Sequence, residues 1–135
     1  MTTANRYAQA YRTTSVETAS PAKIVLMLFD GAIGFLHRAL IGFEQDALTV
    51  RNETISNNLV KSQRIVNELR ASLDLNAGGE LAQTLHGLYD FMDEQLRQAN
   101  FKKDRAPILV TQELLGELRA GWAGMMQGQP AALAA

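Results

Sequence analysis

The chain has 135 residues, of which 47% are hydrophobic and 20% charged, with a formal net charge of -1, which suits one domain with one sizeable core. The near balance of charge argues against a grip on nucleic acid or on an anionic membrane. The absence of cysteine excludes a disulfide framework, a thiol nucleophile and a cysteine-ligated metal, and fits a reducing compartment such as the cytoplasm.

The N-terminus, MTTANRYAQAYRTT, lacks the apolar run of a signal peptide. No stretch of the chain approaches the roughly 18 to 20 uninterrupted apolar residues of a spanning helix, so stable membrane insertion is not expected. Residues 1–19 are polar except for Tyr7, Tyr11, Val16 and a few alanines. They read as an arm that cannot build a core of its own. Two aromatics just ahead of the most apolar helix could fold back on it, since burying one such side chain is worth about 1 to 3 kcal/mol, comparable to the entropy of ordering a few residues. A disordered extension, or a staple in which Val16 or Ala19 steadies the start of the helix, accounts for the same residues.

Residues 20–126 read as four helices. Ser20 is placed to cap the first and Pro21 to start it, where a missing N–H has no consequence, and the helix is predicted to reach about Asp46. It holds six apolar residues in succession, Ile24 to Phe29. At about 100° per residue these encircle the axis, whereas a helix lying on a core needs only a stripe. The second helix, about Val50 to Leu73, carries one stripe: Ile55, Leu59, Val66, Leu69 and Leu73. After the DLNAGGE break, in which Gly78 and Gly79 act as a stop and restart, the third runs from about Gly79 to Asn100 with Leu81, Leu85, Leu88, Met92, Leu96 and Ala99 in register. The fourth starts at Ala106 or Pro107 and aligns Ile108, Leu115, Leu118, Trp122 and Met125, before a polar, alanine-rich tail over residues 127–135. Short links join antiparallel neighbours, so the expected architecture is an all-α, up-down four-helix bundle with an N-terminal arm on a hydrophobic groove.

Constellations that would carry catalysis or bind a cofactor are missing from the pattern. His37 and His86 stand in no spacing that pairs metal ligands on one helix face, and no attachment motif for haem is present. Gly78-Gly79-Glu80 matches neither phosphate-binding glycine pattern and follows no strand. Neither an enzyme nor a cofactor is expected. The excess apolar arc of helix one then has two explanations: ordinary core, if that helix touches three others, or a groove for another protein segment.

Two long segments resemble one family, the flagellin-specific export chaperones of bacterial flagellar assembly, FliS. SVETASPAKIVLMLFDGAIGFLHRA is similar to that family's first-helix signature and GGELAQTLHGLYDFMDEQLRQAN to its third-helix signature; Trp122 also matches. The resemblance covers about Asn5 to Trp122. It implies a cytoplasmic, non-enzymatic four-helix bundle that holds the C-terminal segment of flagellin, prevents premature polymerisation and aids delivery to the type III export gate. It also implies an arm that covers the client groove when empty. The family commonly spaces the two arm tyrosines three apart; here Tyr7 and Tyr11 are four apart, and Tyr11 keeps the family distance to Val16. The residues expected to meet a partner are therefore Tyr7, Tyr11 and Val16 of the arm, Ile24, Met27, Leu28 and Phe29 of helix one, and Leu85, Tyr89, Met92 and Leu96 of helix three. A monomer or weak dimer is expected, and the competing reading is an oligomeric helical scaffold that buries the apolar surface of helix one between copies.

Overall fold

Four helices make up the fold in a computed structural model, which describes residues 20–128: α1 (Pro21–Gly42), α2 (Leu48–Ala71), α3 (Gly79–Lys102) and α4 (Ala106–Met126). Residues 1–19, with Tyr7, Tyr11 and Val16, and residues 129–135 lie outside the described residues. The local signals that start α1 and break the chain between α2 and α3 operate as read. Ser20 Oγ accepts the Lys23 N–H at 3.2 Å and Pro21 is the first helical residue. Asp74 Oδ1 accepts the N–H groups of Asn76 and Ala77, turning the chain between α2 and α3. Both glycines that follow are required. Gly79 has φ +61°, and a Cβ on Gly78 would stand 2.5 Å from that of Ala82.

Each helix packs chiefly on the two that adjoin it in a ring, α1 on α2 and α4, and α3 on α2 and α4. Cross-links show that neighbours run antiparallel. Ser62 Oγ donates to the Ala32 carbonyl between α2 and α1, Ser56 pairs with Asn100 and Gln63 with Asp93 between α2 and α3, and Trp122 and Arg105 reach opposite ends of α1. Among the described residues, no side-chain hydrogen bond or ion pair joins α3 to α4. The core is the inner stripe of all four, with Leu36, Ile55, Leu59, Val66, Met92, Leu96, Ile108 and Leu115 fully enclosed. Each such side chain stabilises the fold by about 1.5 to 3 kcal/mol.

Helix α1 stops at Gly42, four residues short of the predicted Asp46, because packing ends it. A Cβ at Gly42 would meet Thr54 and Ile55 at 3.0 to 3.2 Å, and Phe43 is drawn under the guanidinium groups of Arg51 and Arg105, 5.1 and 4.8 Å from its ring centroid. The following carboxylates therefore sit in a link and not on a helix. At the next corner Lys103 adopts the left-handed conformation, φ 51°, and its Nζ donates to Ser56 Oγ at 3.0 Å and to the Asn100 carbonyl at 2.7 Å. Burial, with the charge of Arg51 second, lowers its pKa.

Small residues set the closeness of α1 to α2. Ala32 is fully buried, and its carbonyl receives Ser62 Oγ at 3.1 Å. Replacing Ala32 by Leu forces three extra carbons into that crossing and should destabilise the bundle by about 1 to 3 kcal/mol. The expected reading is a lower urea midpoint with an unchanged slope; an unchanged midpoint would show that the crossing has slack.

Candidate functional site

At the pole where α1 and α3 begin and α2 and α4 end, the bundle holds an apolar cavity of about 440 Å³ that opens to solvent. Helical spacing builds it: each helix presents a pair four residues apart to the same space. These are Val25 and Phe29 from α1, Leu69 of α2 with Leu73 two residues past its end, Leu85 and Tyr89 from α3, and Leu118 and Trp122 from α4. Pro21, Asp74 and Leu81, all exposed, complete its rim.

Tyr89 is the polar group of the inner wall. Its side chain is only 3% exposed, and burial pushes its hydroxyl pKa up to about 12. Trp122 is held in place by its indole N–H, which donates to the Ala22 carbonyl at 2.8 Å and ties the end of α4 to the start of α1. Ion pairs sit beside the apolar lining. Asp30 binds Arg119 across the α1–α4 seam, and Asp90 is shared by Arg70 across the α2–α3 seam and by His86 one turn earlier.

Magnitude decides how such a space is used. A cavity of 150 Å³ already admits a benzene-sized molecule. This one has room for two or three large apolar side chains. The lining is hydrocarbon apart from Tyr89, Ser72, Asp74 and the Trp122 N–H. Among the described residues, no three of His, Asp and Glu gather as a metal-binding group.

The family model described as Flagellar protein FliS matches residues 3–129. The chain belongs to the FliS family. It is similar to the flagellar secretion chaperone FliS of Salmonella typhimurium, 38% identical over 116 residues that cover 86% of this chain and 84% of that protein. The one from Bacillus subtilis is 33% identical over 120 residues, 89% and 86% of the two chains, and that from Vibrio cholerae 36% over 118 residues, 84% of each. The resemblance drawn from the two helix signatures holds.

Within this FliS-family bundle the residues singled out from sequence fall into three groups. Phe29, Leu85 and Tyr89 meet at the cavity. Met92 and Leu96 are fully enclosed deeper along α3, and Leu28 is half-buried against the same core. Ile24 and Met27 are 40% and 37% exposed and take no part in the lining. Sequence reasoning passed over Val25, Leu69, Leu73, Leu118 and Trp122 as site residues. The available signal was their shared four-residue spacing at matching heights in antiparallel helices. By length and composition α1 could cross a membrane, yet its inner stripe belongs to the core.

Because the Tyr89 hydroxyl ionises near 10 when exposed and near 12 when folded, the fold loses stability as pH rises through that window. The loss should reach about 2 to 3 kcal/mol. Tyr89→Phe should flatten the decline, measured as urea midpoints on both sides of pH 10. Parallel curves for the two proteins would place Tyr89 in water.

Proposed function

We propose that this chain is a cytoplasmic flagellar secretion chaperone, without enzymatic activity, whose polar-end cavity receives apolar side chains of the C-terminal segment of flagellin. The observation that carries the reading is the apolar cavity bordered by Pro21, the first residue of α1. The membership of the chain in the FliS family and its similarity to flagellar secretion chaperones support it. In this reading Tyr7, Tyr11 and Val16 of the preceding arm occupy the cavity when no client is bound, and client binding is an exchange of one apolar filler for another. The client orders as it binds, so its lost chain entropy subtracts from the burial gain and keeps the complex reversible. An amphipathic helix placing anchors three and four residues apart matches the spacing of the wall. Holding that segment would prevent premature polymerisation, and the loaded bundle would pass it to the export gate.

Ile24, Met27 and Ile41, each more than one-third exposed on α1, support a second reading in which copies of the chain associate through α1. Light scattering separates the two, with a monomer or weak dimer at micromolar concentration expected for the chaperone.

A peptide spanning the C-terminal segment of the cognate flagellin should bind and gain helical circular dichroism, with a change in Trp122 fluorescence. Leu85→Asp, which puts a charge in the wall, should weaken that binding by at least about tenfold, equivalent to 1.4 kcal/mol. Calorimetry that detects no binding at high micromolar concentration would overturn the proposal. Removing residues 1–15 should leave the bundle helical and change client affinity; an unchanged affinity would take the arm out of the exchange.

A further inference from the structure

The charges of the chain nearly cancel in total but not in space. Helices α1 and α2 carry six Lys and Arg against three Asp and Glu, whereas α3 and α4 carry three against six. Contacts across the seams pair Asp30 with Arg119 and Arg70 with Asp90, which takes one charge of each sign from α1 and α2 and leaves their positive excess unchanged. On that face Arg38 and Lys61 both lie over the half-buried ring of Phe35, 5.1 and 5.5 Å from its centroid. Arg64 follows one turn after Lys61. Among the described residues, none of these three cations has an ion-pair partner.

Two cations attracted to one ring repel each other, and the ring offsets only part of that repulsion. A carboxylate placed between them would be drawn to both. The surface is also shallow. A Cβ at Gly31 would touch Ile65 Cδ1 at 3.2 Å, so the two helices leave no deep slot between them for a small molecule. Ile41 of α1, three residues after Arg38 and 47% exposed, adds apolar contact area beside it.

We propose that the outer α1–α2 face docks an acidic polypeptide segment of a partner protein, with its carboxylates on Arg38 and Lys61. Charge complementarity selects the partner's chemistry, and the Phe35 ring fixes where the two cations stand. The face shares no lining residue with the polar-end cavity, so the two surfaces can be filled together, and the proposal does not depend on what fills the cavity.

The full-length protein is titrated with an end-blocked peptide of repeating Glu-Ala-Ala-Ala-Glu while its amide and Arg side-chain resonances are followed. Saturable shifts confined to residues 34–42 and 57–65 are expected, fading as salt is raised. The double variant Arg38→Glu/Lys61→Glu should weaken binding by at least about tenfold, and Arg38→Gln/Lys61→Gln by an intermediate factor. Lys23→Glu/Lys102→Glu makes the same change in net charge elsewhere and should leave the affinity within about twofold. Circular dichroism confirms that each variant is folded. Absence of shifts, shifts centred on the cavity, or equal weakening by the control pair would overturn the proposal. So would sedimentation of the wild type, but not of the Arg38/Lys61 variant, with phosphatidylglycerol vesicles while the peptide gives no shift.

Discussion

In a ring of four antiparallel helices each one has two close neighbours and faces the fourth only across the core. Packing can therefore cover an inner arc of any helix and no more. α1 carries apolar residues well beyond that arc: Val25 and Phe29 lie on the inner arc and line the cavity, whereas the excess, Ile24 and Met27, takes no part in the lining and remains in contact with water. The neighbours have no spare surface to bring over it. What lies uncovered on α1 is a consequence of geometry, and it has to be met by something outside the ring or tolerated as exposed surface.

The four seams resist separation by different means. Between α1 and α2 the small residues Ala32, Gly42 and Ser62 let the backbones approach, so this seam depends on shape. The α2–α3 seam depends on polar pairs, with Asp90 and Asp93 of α3 answering Arg70, Gln63 and Asn67 of α2. α1 and α4 are joined at both ends, by Trp122 with Ala22 and by Arg105 with Glu44, with the Arg119–Asp30 pair between. The α3–α4 seam has apolar contact alone among the described residues. The cavity sits at one pole of the ring, with wall residues from all four helices and a rim of helix ends and the α2–α3 turn.

Composition conceals the distribution of charge. A net charge of -1 gave no reason to expect an electrostatic surface, yet the helices divide into a basic pair and an acidic pair. Attraction within the ring accompanies this division: Arg70 meets Asp90 across the α2–α3 seam, and Arg119–Asp30 and the flanking Arg105–Glu44 pair join α4 to α1. The remainder points outward, and Phe35 concentrates two of the leftover cations at one spot.

The sequence by itself determined the helices, the cap that starts the first and their order, because these are local. A serine oxygen reaches an N–H three residues on, proline accepts the first helical position, Gly79 accepts a positive φ, and apolar residues recur with the helical period. It also determined the family, since two long signatures in one register leave little room for coincidence. Only the tertiary structure decided the depth of each side chain. Helical spacing fixes which face a residue occupies, not which layer of the bundle it enters, so Leu85 and Tyr89 reach the cavity while Met92 and Leu96, on the same stripe of α3, are sealed in the core. The end of α1 at Gly42 was likewise a tertiary matter, settled by how near the backbone comes to Ile55 and by two guanidinium groups from other helices closing over Phe43.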